Sequence, residues 1–456
     1  MSAQSTQLSQ EKIDKAVESL REKLIEVLQR LVSFQSFRNH PDEINVMTYV
    51  ESLLAEHGFS SERVYFSREK FSSYPGYCPV SWPDTSIPSL SSNSTQDPQI
   101  RFNLIASRPG AQQGKGRTLI FNSHFDVVPV EDDFIKSWDK SGPFEGKVIG
   151  DALYGRGAGD MKGGFVAAFI ALCALEKLGF QSASRITFHA VSEEECSGNG
   201  THAIVSSGAK HTQADAVIIP EPLPGIMSAQ LGVLWAHVQV KGRSVHVLDT
   251  SAGHNAIESC YLLWEALKSL EEKLNADPTT FPHAYQSFKH PINLNLGQIR
   301  GGVWPSSVPS TAHFSFRLGY FPTSGDDALA QCKKQLEQAL ANAGSQHHID
   351  YELRYDGFQA DGYIYKDMES SLFGQTLANA HLAVTQEKPI FTPATCTTDA
   401  RYYYLLQNKT PVTCYGPKAT SIHGINEHVS LQSIQQTAKT FIRFIESWCQ
   451  LVKIEE

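Results

Sequence analysis

Three short apolar runs, each breaking off at side chains that can hold a cation, constrain this 456-residue chain more than any other feature. Thr118-Leu119-Ile120-Phe121-Asn122 leads into Ser123-His124-Phe125-Asp126-Val127-Val128-Pro129. Arg185-Ile186-Thr187-Phe188-His189-Ala190-Val191 leads into Ser192-Glu193-Glu194-Glu195-Cys196-Ser197-Gly198-Asn199-Gly200. Asp215-Ala216-Val217-Ile218-Ile219 ends on Pro220-Glu221-Pro222. Runs of this length and composition predict buried strands. Pro129 bars simple continuation of a central strand, and the prolines around Glu221 fix its direction. In open α/β sheets ligands lie outside the carboxyl ends of the strands. The three runs therefore predict one sheet whose edge gathers His124, Asp126, Glu194, Glu195 and Glu221. Strand alternation predicts that Glu194 and Glu195 aim in different directions and take different jobs.

A glycine-rich segment, Tyr154-Gly155-Arg156-Gly157-Ala158-Gly159-Asp160-Met161-Lys162-Gly163-Gly164, releases into an apolar run of helical length, Phe165 to Leu178. Asp160 then stands at a helix mouth, where the dipole and free N–H groups favour its charge. An imidazole and carboxylates gathered at strand ends and a helix start suit a hard or borderline cation. Each piece alone is weak. His-x-Asp is a common accident, and an acid triplet is more often a solvated helix end. The glycine run lacks both the Gly-Lys-Ser/Thr ending of a Walker loop and the order of a dinucleotide fingerprint.

Along the rest of the chain, apolar steps of three and four from Ile13 to Leu31 predict a helix over 10–32, and another covers Glu43 to His57. Residues 71–98, rich in Ser, Pro and Asp, read as a long surface loop. Ile100–Ser107 and Thr118–Asn122 read as neighbouring strands. From Gly232 the order changes: strand Val233–Lys241, helix Asn255–Leu274, strands Pro291–Ile299 and Ala312–Tyr320, helix Asp326–Ala343, strand Ile349–Tyr355. That βαββαβ order is a ferredoxin-like unit, inserted at 232–358 between a first part, 1–231, and a second part, 359–456. The second part carries a helix at Ser370–His381, the segment Ala400–Leu406, a strand at Pro411–Tyr415 and a last helix at Leu431–Val452. Hydrophobic content of 41% and charged content of 19% are those of an ordinary globular protein. A net charge of −9 argues against a nucleic-acid partner. No signal peptide is visible in Met1–Gln10, no apolar run has the length of a membrane span, and eight scattered cysteines form no Cys-x-x-Cys pair. A reducing cytoplasm is the simplest compartment.

With these pieces in order, the chain resembles the M20 metallopeptidases, the group of acetylornithine deacetylase, succinyl-diaminopimelate desuccinylase and related carboxypeptidases. The likeness rests on His124-Phe125-Asp126-Val127-Val128-Pro129, Gly155 to Gly164, Glu193-Glu194-Glu195, Glu221-Pro222, Val245-His246 and His423-Gly424-Ile425-Asn426-Glu427. It implies an α/β phosphorylase/hydrolase-like zinc-peptidase catalytic domain, a mixed sheet flanked by helices, with an inserted ferredoxin-like dimerisation lid. It also implies that His124 and Glu221 ligate a first metal, Glu195 and His423 a second, and that Asp160 bridges them. Glu194 resembles the general base and Asp126 the acid that orients His124. His246 resembles a histidine that enters the partner subunit's active site, and Arg317 an arginine that grips a substrate carboxylate. The family often has Asp where Glu193 stands, and an asparagine common after the paired glycines of the insert is replaced within Gly301 to Ser307. The 71–98 loop is also longer than expected.

The residue types agree with that chemistry. One bridging carboxylate plus one His and one acid per ion leaves open positions, and two divalent ions can lower a water's pKa from about 15.7 towards 7. His/carboxylate ligation without thiolate suits Zn²⁺ and tolerates Co²⁺ or Mn²⁺. The expected activity is hydrolysis of an N-acyl amino acid or related small amine by a homodimer. A carboxypeptidase or dipeptidase on the same scaffold is the alternative, and an inactive metal- or metabolite-binding protein is the alternative of another class. Cys196 reads as a small buried filler, and His189, His202, His254 and His428 as structural or exposed side chains.

Overall fold

A computed structural model describes residues 8–65, 71–80, 101–112, 114–322 and 327–454. Helices α1 (Gln10–Glu18), α2 (Arg21–Val32) and α3 (Asp42–Ala55) lead into strands β1 (Ser60–Tyr65), β2 (Phe102–Arg108) and β3 (Leu119–His124). After helix α4 (Gly163–Lys177) come β4 (Ile186–Val191) and β5 (Ala216–Ile219). The chain then builds β6 (Gly232–Lys241), α5 (Ala256–Leu274), β7 (Leu294–Gly301), β8 (Thr311–Tyr320), α6 (Ala328–His347) and β9 (Asp350–Ala360). It closes with β10 (Val412–Cys414) and α7 (Leu431–Trp448).

The main sheet runs β1-β2-β4-β3-β5-β10. Strands β4, β3, β5 and β10 are parallel, while β2 is antiparallel to β4 and β1 to β2. The sheet is mixed and covered on both faces, as buried parallel strands require. Pleating divides its side chains: Leu119, Phe121 and Ile218 join the core under α1–α4 and α7, while Ile120, Val217 and Ile219 join a second core with Met161 and Tyr403. Helix α4 is buried all round from Gly163 to Leu175, and each large apolar side chain sunk this way is worth about 1.5–3 kcal/mol. Its first turn can approach the sheet only because residue 164 is glycine: a Cβ there would lie 1.8 Å from the Pro220 carbonyl oxygen. That contact sets the helix mouth beside the strand end that carries Glu221.

The insert forms a four-stranded antiparallel sheet, β7-β8-β6-β9. Leu234, Ala236, Val238, Phe314, Phe316 and Leu318 point to a core shared with α5 and α6. The opposite face carries Arg317, in register with Trp235 and Asn295.

The helix expected over 10–32 is two, because the chain breaks at Ser19–Leu20, where the Ser19 hydroxyl donates back to the Ala16 carbonyl at 2.8 Å. The last helix stops at Trp448; Gln450 adopts φ 59° and Leu451–Lys453 pairs with Phe180–Ser182 instead. The strand expected at Pro291–Ile299 starts and ends later, at Leu294–Gly301. Strands β2 and β3 are not neighbours, since β4 lies between them. The apolar stretch 158–177 does have the length and composition of a membrane span, but 94% of its most apolar window is buried inside the protein. Of the 71–98 loop, residues 81–98 lie outside the described residues, as do Ile100 and Asp326.

Candidate metal centre

The carboxyl ends of β3, β4 and β5 lie side by side, and the mouth of α4 closes against them. Asp160 is the centre. Its Oδ1 lies 3.1 Å from His124 Nε2, which is 3.6 Å from Glu221 Oε1. Its Oδ2 lies 3.1 Å from His423 Nε2, which is 3.0 Å from Glu195 Oε2. Two donor triplets thus share one carboxylate: His124/Asp160/Glu221 and Asp160/Glu195/His423. Ligands at about 2.0–2.1 Å in tetrahedral array are separated by about 3.3 Å, which is the spacing found. The Glu194 carboxylate belongs to neither triplet and stands 4.0 Å from His124 Nε2.

The charge balance points the same way. Burial, then the charge of Asp160, pushes the Glu221 pKa well above the carboxylate range. Burial, then the charges of Asp399 and Glu221, does the same to Glu194. Burial also acts on Asp160, but hydrogen bonds from His124 and His423 overcome it and hold that carboxyl below its usual range. The acids raise both imidazoles, His423 through Glu195 first, to about 11, and His124 against its own burial. Among the described residues, four carboxylates meeting in one hollow have two histidines within 4.0 Å as positive partners. Positive charge is what the donor set lacks, so the residues fit a pair of divalent cations.

Supporting groups fix each donor. His124 Nδ1 is 3.0 Å from the main-chain carbonyl of Asp126, whereas that residue's carboxylate is 3.7 Å away. The Asp126 carboxylate instead accepts the backbone N–H groups of Glu194 at 3.2 Å and Glu195 at 3.1 Å. It therefore holds the acid loop in place as well as lying beside the imidazole. Burial lifts its pKa to about 7.

The three acids diverge because β4 ends at Val191 and Glu193 turns at φ 62°, not because of strand alternation as expected. Glu193 points away from the centre, to Arg101 at 2.7 Å and Arg38 at 3.1 Å. Burial would raise its pKa, and the two guanidinium groups hold it at about 2.

Two residues given no role in the sequence reading complete the site. Glu427, fully buried, accepts N–H groups from Gly159 at 3.1 Å and Asp160 at 3.2 Å. Its other oxygen pairs with Arg156 at 2.6 Å, and Arg156 also donates to the His423 carbonyl at 3.1 Å. Both residues lie inside motifs already singled out. Their pairing, across 271 residues, has no local signature.

The remaining candidate residues belong to neither triplet. His246 is exposed, and its Nδ1 accepts the Leu248 N–H at 3.1 Å. Arg317 donates to the Thr395 carbonyl at 3.4 Å, and among the described residues no carboxylate lies within 4.0 Å of its guanidinium. Cys196 is buried, as are His189 and His202, each in its own hydrogen bonds away from the centre.

The model of Peptidase family M20/M25/M40 matches residues 120–447. The chain is 25% identical over 378 residues to an N-formyl-4-amino-5-aminomethyl-2-methylpyrimidine deformylase of Halalkalibacterium halodurans, covering 77% of this chain and 84% of the relative. It is 26% identical over 417 residues to a succinyl-diaminopimelate desuccinylase of Methylorubrum extorquens, covering 90% and 94%. The fold is similar to that of human carnosine dipeptidase 1, with a TM-score of 0.74, 17% identity, and 96% and 98% of the two chains covered.

Proposed function

The chain belongs to peptidase family M20/M25/M40 and is a metal-binding hydrolase of amide bonds; from that premise we propose that it is a two-metal deacylase, removing an acyl group from an N-acyl amino acid or a related small amine, as acetylornithine deacetylases do. The observation that supports this best is the Asp160 carboxylate, each of whose oxygens meets a different histidine at 3.1 Å. His124 and Glu221 would hold one ion, His423 and Glu195 the other, with Asp160 between. The oxygen and imidazole donors, with no thiolate, suit Zn²⁺ and admit Co²⁺ or Mn²⁺. When bound, such ions polarise a carbonyl and make water acidic enough to attack at neutral pH.

The chain's own groups do the rest. Glu194, free of both triplets, takes the water's proton on its carboxylate and returns it to the leaving amine. Asp126 holds Glu194 and Glu195 in place through their N–H groups, and its carbonyl sets the His124 ring. Arg317, without an acidic partner among the described residues, is available for a substrate carboxylate, for which its planar fork is suited.

The insert, 232–358 between the parts 1–231 and 359–456, would make the homodimer. Its β7 is an edge strand, Leu248 is exposed two residues after His246, and Val303 and Trp304 are exposed just before Ser307, which bridges to His246. An isologous contact through that surface would bring His246 to the partner's centre, where it could steady the oxyanion. The eight cysteines are all unpaired, which suits a reducing compartment such as the cytoplasm.

The two curated relatives favour deacylation over dipeptide cleavage, because both are named for removal of an acyl group. The test is to strip the protein with a chelator, restore Zn²⁺ or Co²⁺, and assay N-formyl, N-acetyl and N-succinyl amino acids beside dipeptides. Metal-dependent release of free amine from N-acyl substrates is expected. Cleavage of dipeptides alone makes it a peptidase of the same scaffold. Metal bound without turnover on any of them makes it a binding protein and defeats the proposal.

A further inference from the structure

A second cluster of donor atoms lies at the other end of α4, about 20 Å along the helix from the metal centre at the 1.5 Å rise per residue. Cys173 and Glu176 are three residues apart on α4 and so share one face. His57, just beyond the end of α3, reaches across to them. Its Nδ1 is 2.7 Å from Glu176 Oε2, and Cys173 Sγ lies 3.8 Å from Nε2 and 4.0 Å from Nδ1. One sulfur, one nitrogen and one oxygen donor therefore fall within 4.8 Å of one another. The ring is held in place edge-on to Phe169, centroid to centroid 5.0 Å. Cys173 is buried, and the His57 and Glu176 side chains are 16% and 26% exposed, so the cluster is enclosed yet open to solvent on one side.

We propose that His57, Cys173 and Glu176 form a separate site for a divalent transition cation of the zinc type. Mixed Cys/His/carboxylate donors with a water in the fourth position match the tetrahedral preference of Zn²⁺. Positive charge is already favoured at the ring, where Cys173 and then Glu176 lift the His57 pKa to about 9. Binding replaces protons: the proton between Nδ1 and Oε2 and the Sγ–H proton both leave to solvent, and three donor–metal bonds form. Arg108 pairs with the other oxygen of Glu176, so it orients the carboxylate and leaves Oε2 to the cation. Lys23 is the competitor, with Nζ 3.0 Å from His57 Nε2. It is half-buried on a flexible stem and faces the nitrogen that the cation does not need. An occupied site would tie the end of α3 to the core helix and stabilise the fold by mass action.

The experiment is titration of the chelator-stripped full chain with Co²⁺, followed by absorption. The two triplets around Asp160 contain no thiolate, so a near-ultraviolet thiolate-to-cobalt charge-transfer band reports this cluster independently of any activity. One equivalent with that band is expected, lost in Cys173→Ser while the other cobalt absorption stays. Glu176→Gln, which keeps the thiol, should bind about 10–100-fold more weakly, the range lost when even a supporting group of a metal site is removed. Lys23→Met, without the competing cation, should bind more tightly. Absence of the band, its survival in Cys173→Ser, or unchanged affinity in Glu176→Gln would each overturn the assignment.

Discussion

Replacing Glu427 with Gln tests whether the metal centre depends on a charge that never touches it. The glutamine oxygen can still accept from the Gly159 and Asp160 N–H groups, so the main consequence is to strand the Arg156 guanidinium. That group is 5% exposed and its pairing with Glu427 is 2.6 Å. Removing one partner of a buried ion pair costs about 3–5 kcal/mol, because the other charge is left uncompensated. Arg156→Met should cost about as much by stranding the carboxylate. Burial, with the Asp160 charge, raises the Glu427 pKa against the pull of Arg156, and the desolvation of a buried pair can offset its attraction. Removing both charges together should therefore cost far less than the two single losses added. A coupling energy of about 3 kcal/mol, the upper end for residues in one network, is expected. Urea unfolding of the metal-free protein, at constant slope with denaturant, measures it for the two single variants and the double variant. Metal affinity gives a second reading, since loosening the Asp160 backbone and the His423 carbonyl should weaken it about 10–100-fold. Single variants within about 0.5 kcal/mol of the wild type, the range of ordinary surface substitutions, or an additive double variant would refute the reasoning.

Further outcomes follow from the same geometry. Glu194→Gln should keep both ions and lose about 10²–10⁴-fold in kcat; metal analysis beside steady-state kinetics checks it, and near-normal turnover removes Glu194 as the base. His189 is kept neutral by burial, with a pKa near 4 against about 6.5 in the unfolded chain. The unfolded chain binds the proton first, so this stability is complete above pH 6.5 and falls by about 3 kcal/mol as the pH drops towards 4. His189→Gln should flatten that decline in a series of unfolding curves, and an unchanged decline would assign it to other groups. Trp304→Asp with Leu248→Asp should give a monomer by sedimentation that retains metal but loses turnover; a fully active monomer excludes a role for His246 across the interface.

Much of the site was legible because strand ends and helix mouths leave local marks. His124 and Glu221 each sit where an apolar run stops and Asp160 just before one starts, and a run's length and its proline or glycine boundary are properties of neighbouring residues. The fate of the three acids was not legible. Glu193, Glu194 and Glu195 look alike in sequence, yet one turns to Arg38 and Arg101, one faces His124 from outside both triplets and one joins His423. A left-handed turn at Glu193 makes the division, and no alternation rule describes it. The order of β2, β4 and β3 was equally hidden, since pairing depends on which faces can be covered rather than on sequence distance.

The sequence by itself determined where the chain alternates between strand and helix, which donor types stand at the breaks, and hence that a cation should be bound. Only the tertiary structure decided which oxygen of Asp160 faces which histidine, that the Asp126 carboxylate holds the acid loop while its carbonyl sets the His124 ring, and that Arg156 and Glu427 brace the centre from 271 residues apart. The physical reason is range. Periodicity and turn chemistry act over a few residues, whereas charge compensation and hydrogen-bond satisfaction in a dry interior are settled among whatever groups packing brings together.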